Sequence, residues 1–415
     1  MKRITGIFAL MLVLMLLLSA CAPAAQSGGK TIVYWSMWES TEPQGIAIQK
    51  AIDAYMAATG NTVDVQFKGR TGQREGLQPA LDGNVTVDLF DEDIDRVNVT
   101  FGSYLMDLEQ LAKVSNFEAT ANKGLIAACR SGSGGTLKSI PYQPFVFNYF
   151  FNQEIFDKAG VTAVPSTWEE FLAACQKIKD AGYSPITSDD AYIVCTFGYH
   201  LARLDGEEAV IDVVTNGNWA ENPAVLKVAQ DFEQLAQLGY FSPNLGSNVW
   251  PTGQNGEFAM GEVAMYLNGS WLPNEVRGIT GDEFRWGCFS YPALPGGKTG
   301  TDAANFGSQV FAINKNSQVA PEAFELIKYI TKGEFDATLS EMSVGIPADS
   351  TNTEWPEALA AVKPVMDNIA VRYTWAAGAE SNNNITPVLK ENFIKLCAGQ
   401  MTAQEFVDAM EAAGK

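Results

Sequence analysis

From Thr31 onward the chain moves between two hydrophobic rhythms. Thr31 to Met37 is rich in β-branched and aromatic residues, and Thr62 to Phe67 alternates apolar with polar positions, as half-buried strands do. Between them Gln44 to Thr59 carries Ile48, Ile52, Tyr55 and Met56 at helical spacing and stops at Gly60. Gln73 to Leu81 predicts a short helix, and Val85 to Phe90 a further strand that ends in acids. Such alternation predicts right-handed βαβ units and a mostly parallel sheet. Ligands of such sheets sit beyond the carboxyl ends of the strands, which directs attention to the loops starting at Trp38 and at Asp91.

Ile140 to Asn152 then reads as one long apolar and aromatic run that could pass between two lobes. Helical patterns follow it. Trp168 to Ala181 comes after Ser166 and Thr167, with Glu169 and Glu170 in its first turn, and Pro223 to Leu238 ends at Gly239. Further helices are expected at Pro321 to Thr331, Glu357 to Met366, Thr386 to Cys397 and Thr402 to Ala412, and a strand at Gln309 to Ile313. No internal repeat interrupts this order.

A length of 415 residues predicts two or three packed units, and 47% apolar against 18% charged residues marks a globular chain. Lysine plus arginine number 28 against 48 aspartates plus glutamates, and the net charge of -20 would repel phosphate backbones and anionic membrane surfaces. Nucleic acid is therefore excluded as a partner. The single histidine, His200, rules out two-histidine zinc sites, and its aromatic surroundings suit a buried, hydrogen-bonded ring better than a general base.

The remaining motifs call for no cofactor or metal. Gly296 to Thr299 resembles the end of a phosphate loop, but Pro292 stands where a glycine is needed, so the segment reads as a turn. Asp91, Asp93 and Asp95 have calcium-loop spacing, with Arg96 and Gly102 where a glycine and a glutamate belong. No G-x-S-x-G elbow occurs, while 48 acids leave paired carboxylates for glycoside chemistry open.

At the N-terminus, Lys2 and Arg3, the apolar run Ile4 to Leu18, and the small residues before Cys21 read as an export signal over residues 1–20. Leu18-Ser19-Ala20-Cys21 resembles the lipobox of bacterial lipoproteins; an ordinary secretory signal with an incidental cysteine is the alternative. The resemblance implies lipidation at Cys21 and an anchor on the outer face of the cell membrane, with residues 21–30 as a flexible tether. Cys129, Cys175, Cys195, Cys288 and Cys397 read as buried small hydrophobes, and the spacing permits a Cys175–Cys195 bridge without demanding it.

The most informative segment is Phe258 to Trp271, FAMGEVAMYLNGSW. It resembles the F-x-x-G-x-x-A-M…G-x-W signature of bacterial extracellular solute-binding proteins of the sugar-binding type, the receptors of ABC importers. Ile140 to Gly160, Val164 to Phe171 and Gly345-Ile346-Pro347-Ala348 resemble further pieces of that family in its order. The resemblance implies an α/β, two-lobed periplasmic-binding-protein-like fold of type II, each lobe a mostly parallel sheet flanked by helices, joined by hinge strands. One lobe would comprise 31–140 with about 303–344, the other about 141–302 with 345–415. It also implies a monomeric, non-enzymatic receptor with an ABC transporter permease as partner.

A sugar offers apolar C–H faces and a girdle of hydroxyls, so its pocket needs aromatic plates together with carboxylates or amides. Trp271, which matches the stacking tryptophan of the family, is the first candidate. Trp38 and Glu39 follow the first strand, and Asp91, Glu92 and Asp93 the third. Asp190, Tyr192 and Trp250 are candidates from the second lobe, joined by Gly307 and Ser308 and by Trp375 and Glu380. Trp168 and Trp355 open helix patterns and are assigned to the core. Three functions compete: a carbohydrate receptor, an anchored glycoside-acting enzyme using two carboxylates, and a binder of a cationic or peptide-like solute, which the acidic loop and net charge would suit.

Overall fold

The computed structural model describes residues 29–414; the export signal, Cys21 and most of the expected tether lie outside them. Nine strands make one sheet among the described residues. These are β1 (Thr31–Ser36), β2 (Thr62–Phe67), β3 (Leu89–Asp93), β4 (Ile140–Asn152), β5 (Ser184–Thr187), β6 (Val263–Gly269), β7 (Trp286–Phe289), β8 (Ala303–Ile313) and β9 (Val371–Tyr373). The main path runs β2-β1-β3-β8-β4-β6-β5, with β7 on β4 and β9 on β8.

Parallel pairing holds on the outer parts, β1 with β2 and β3, β5 with β6, and β9 with β8. It gives way to antiparallel pairing wherever the long strands β4 and β8 take part as central members. The mostly parallel sheet expected from strand–helix alternation is thus a mixed one. The reason is covalent: β4 and β8 are long enough to serve both ends of the molecule, and they run in opposite directions.

Two clusters of buried apolar side chains flank this crossing. One gathers Ile32 through Tyr142, then Val310 to Leu339, and the other gathers Val146 through Ala304 with most of the C-terminal helices. Within β4 the change falls between Tyr142 and Val146, at a bulge where Gln143 adopts a left-handed conformation of φ 44°. Within β8 it falls between Ala304 and Val310. Both cores therefore hang on the same two strands.

Local signals explain most helices. Thr167 and Glu170 form a reciprocal capping box at the start of Trp168–Asp180, satisfying donors that the first turn leaves free. Pro364 prevents one helix over Glu357 to Met366: a short 3-10 turn, Glu357–Leu359, precedes a separate helix, Val362–Asp367, whose first turn holds the proline. The helix Ile193–Asp205 is buried almost throughout, its polar Thr196, His200 and Arg203 included.

The five described cysteines are free and buried, so Cys175 and Cys195 form no bridge. His200 is wholly buried, with Nδ1 2.8 Å from the Tyr291 hydroxyl and Nε2 3.0 Å from an Asp231 carboxylate oxygen. Burial lowers its pKa, which favours the neutral ring. No described helix is long and apolar enough to cross a membrane.

Candidate functional site

The carboxyl ends of β1 and β3 form one wall of the candidate site. Trp38, just past β1, is only 4% exposed; its indole donates to the Tyr142 hydroxyl at 2.7 Å, and the Arg70 guanidinium lies 4.6 Å from its ring centre. Tyr142 in turn donates to Asp91, which also accepts from the Tyr34 hydroxyl at 2.9 Å and the Met37 amide at 3.2 Å. Asp91 is fully buried, and burial pushes its carboxyl up to about 7 against the opposing pull of those hydrogen bonds.

Asp91 and Glu92 thus depart from the expected loop. The third strand is displaced toward the C-terminus, so its backbone pairs Asp91 with Phe311 and Glu92 with Val310 inside the sheet. Glu92 has no exposed surface and accepts two hydrogen bonds from Arg74, each 3.1 Å. Neither carboxylate is left to receive a solute hydroxyl. Asp93, paired with Gln309, stays half-buried and caps the helix Ile94–Phe101 by accepting from the Asp95 amide at 2.9 Å. Burial, then the Asp95 charge, pushes its carboxyl up to about 7. Asp95 is held by Arg372, so the calcium-like spacing ends in an ion pair, and the described residues contain no metal-holding cluster. Glu39 is exposed and lies against Gly69, where a Cβ would stand 2.0 Å from its Oε1.

The opposite wall is aromatic. Trp271 follows β6 and lies against Gly269, where a Cβ would meet its ring at 2.3 Å; the glycine is needed for that approach. Its ring centre lies 5.4 Å from Phe145, 6.2 Å from Tyr192 and 6.3 Å from Trp375. Tyr192 stands 6.1 Å from Trp375 and 6.4 Å from Trp250. The rings are partly open to solvent at Trp271 and Trp375, while Trp250 is 42% exposed.

Hydrogen bonds hold the plates in place. The Trp375 indole donates to Glu380 at 2.7 Å, and Glu380 pairs with Lys390 at 2.7 Å. Ala376 and Ala377 adopt φ values of 51° and 50°, a costly left-handed pair in the turn beside Trp375. The Trp250 amide donates to Asp190 at 2.9 Å. Asp190 and Glu380 therefore support aromatic groups.

At the crossing, Gly307 lies opposite Phe145 and Ser308 opposite Pro144. A Cβ at Gly307 would sit 2.8 Å from the Phe145 ring, so this glycine makes room for a neighbour of Trp271. Ser308 Oγ, Gln309 Oε1 and Gln143 Oε1 are buried atoms without a protein partner. Sequence reasoning missed Gln143, Gln309, Arg70 and Glu275. Glu275 had a visible signal: it lies four residues beyond Trp271, one turn along the helix Leu272–Thr280. Its carboxylate accepts from Asn255 at 3.0 Å; crowding by protein atoms raises it to about 7, while Arg70 from the other wall draws it back. Two surface hollows of about 490 and 340 Å³, lined around Asp107 and around Phe241 respectively, contain none of these residues.

Aromatic plates beside carboxylates, amides and a guanidinium are the groups a site for a polar solute needs. The description "Bacterial extracellular solute-binding protein" belongs to the family model that matches residues 50–364. The chain belongs to this family. Among relatives of this solute-binding protein, "Probable ABC transporter-binding protein" of Deinococcus radiodurans is 25% identical over 305 residues, 68% of each chain. "Probable sugar-binding periplasmic protein" of Rhizobium meliloti is 26% identical over 215 residues, 48% of this chain and 47% of that one. The solved structure of a "Chitin oligosaccharide binding protein" superposes with a TM-score of 0.72 at 18% identity, over 94% of this chain and 98% of the other. The likeness establishes the periplasmic-binding-protein-like α/β fold.

Proposed function

We propose that this solute-binding protein captures a carbohydrate between two lobes and delivers it to the permease of an ABC importer. The lobes are residues 31–140 with about 303–344, and about 141–302 with 345–415; β4 and β8 join them. Trp271 and Trp375 stack on the apolar faces of the sugar, with Tyr192 packed against both and Trp250 at the edge. Asp93, Gln309, Glu275 and Arg70 meet the hydroxyls, assisted by Glu39. Trp38, Asp91 and Glu92 shape the wall from within, and Asp190, Glu380, Gly307 and Ser308 place the aromatic groups. The protein acts as a monomer without catalysis, held outside the cell membrane by a lipid on Cys21.

The observation that carries this reading is the meeting of Trp271, Tyr192 and Trp375, their ring centres about 6 Å apart, with Trp271 and Trp375 partly open to solvent and Tyr192 buried beside them. A cationic solute is less well served, because Asp91 and Glu92 are already occupied by donors of the protein.

The test is thermal unfolding of the purified protein with mono- and oligosaccharides, amino acids and polyamines. A ligand at a hundred times its dissociation constant adds about 2.7 kcal/mol of stability. Stabilisation by one carbohydrate class, with no product formed, is expected. Stabilisation by cations or amino acids alone would overturn the carbohydrate reading, and turnover would overturn the absence of catalysis.

A further inference from the structure

Glu257 is a buried carboxylate whose four partners are all neutral. It is 5% exposed and lies on the helix Thr252–Ala259. One oxygen accepts from Ser242 at 2.8 Å and from Asn244 at 2.7 Å. The other accepts from Thr187 at 2.8 Å and from Asn248 at 3.1 Å. No lysine, arginine or histidine among the described residues forms an ion pair with it. A charge removed from water needs such a set of donors, and here three of the four come from a single loop, residues 242–248.

That loop leads directly to Trp250. Asn248 also donates to the Ser188 carbonyl at 3.2 Å, and the Trp250 amide is fixed by Asp190 at 2.9 Å. The indole is 42% exposed, its ring centre 6.4 Å from that of Tyr192 and its plane at 80° to it. An exposed tryptophan on a loop pinned from below is a preformed plate lacking a partner on its outer side. Trp271, Tyr192 and Trp375 are mutual neighbours, whereas Trp250 touches this group only through Tyr192. It therefore lies one aromatic contact further out.

We infer that Glu257 is a positioning residue that sets Trp250 as a second stacking plate, so that the cleft takes a carbohydrate of two or more units. This rests on the carbohydrate reading above and adds a chain length to it. The first unit lies against Trp271 and Trp375, and the next against Trp250. Replacing Glu257 with glutamine would turn one end of the side chain into a donor facing donors, releasing the loop and the plate together.

The experiment is calorimetric titration of the protein with glucose, galactose, xylose and N-acetylglucosamine, each beside its di- and trisaccharides. The wild type should bind an oligosaccharide at least about tenfold more tightly than its monosaccharide, and Trp250→Ala should remove most of that advantage. Trp250 is exposed enough for this substitution to spare folding. Glu257→Gln should do the same, with monosaccharide affinity changing less than about twofold. A structural role alone would weaken both ligands equally, and that result would overturn the inference. Equal affinity of the wild type for mono- and oligosaccharide would also overturn it while leaving the carbohydrate reading intact. Binding of none of these sugars would overturn both.

Discussion

The two sides of the candidate site use their chemistry in opposite ways. On the β1–β3 side, charged and aromatic groups are turned inward: Asp91 is fully buried under Tyr34, Tyr142 and Met37, and Trp38 is bonded to the same tyrosine. On the β6 side, Trp271 and Trp375 stay partly open to solvent beside the buried Tyr192, while the acids near them hold backbone or indole N–H groups in position. Residue type alone therefore says little about which group meets a solute. What decides is whether its polar atoms already have partners, since a buried carboxylate with three donors has little left to offer.

The strongest way to break this contrast is at Asp91. Asp91→Ala leaves two hydroxyls and an amide without an acceptor and should cost about 3 kcal/mol of stability, read by urea unfolding. If Asp91 instead faced solute, the variant would lose affinity at little cost in stability. Trp271→Ala should behave in the reverse manner, weakening carbohydrate binding by about 2 kcal/mol with a smaller loss of stability. An unchanged dissociation constant would remove it from the site.

A pH titration sharpens the same comparison. Asp91 is raised from an ordinary carboxylate value to about 7 in the folded state. Its contribution to stability is therefore full below the unfolded value near 4 and is lost as pH rises through about 7. Asp91→Asn should flatten that part of the curve. An unchanged slope between pH 4 and 7 would show that burial does not govern this group.

Smaller effects concern the contacts between the cores. Arg372 of β9 holds Asp95 at 2.9 Å, joining the two sides beside the crossing strands. Arg372→Gln should cost less than about 1 kcal/mol, as partly exposed pairs do. If the two cores move relative to each other on binding, its clearer readout is a severalfold change in ligand affinity, since the pair ties the two sides together. No change in either quantity would dismiss it as a latch. Trp38→Phe loses the Tyr142 bond and part of the buried indole volume, so it should lower stability by about 2 kcal/mol and leave affinity nearly unchanged.

Much of the scaffold was legible in the sequence because its signals are local. The apolar run Ile140 to Asn152 is β4 itself, Thr62 to Phe67 is β2, and the Thr167–Glu170 pair caps its helix as the spacing predicts. The misplaced third strand shows where locality ends. Val85 to Phe90 has the better strand composition, yet β8 pairs with Leu89 to Asp93 and draws the acids into the sheet. Asp91 can lie there because Tyr34 and Tyr142 supply donors from 57 and 51 residues away, and Glu92 because Arg74 lies 18 residues back. Partners so distant leave no mark on the local pattern. The meeting of Tyr192, Trp271 and Trp375 was likewise hidden, since it depends on three elements converging beside one strand crossing.

In the proposed function the aromatic side holds the solute, whereas the acidic strand β3 holds the fold. The most direct test is one calorimetric comparison of wild type, Trp271→Ala and Asp91→Asn, with the carbohydrate that stabilises the wild type most. Asp91→Asn should bind within about twofold of wild type, and Trp271→Ala at least about tenfold more weakly. The reverse order, with the acid variant losing affinity and the tryptophan variant retaining it, would contradict the account.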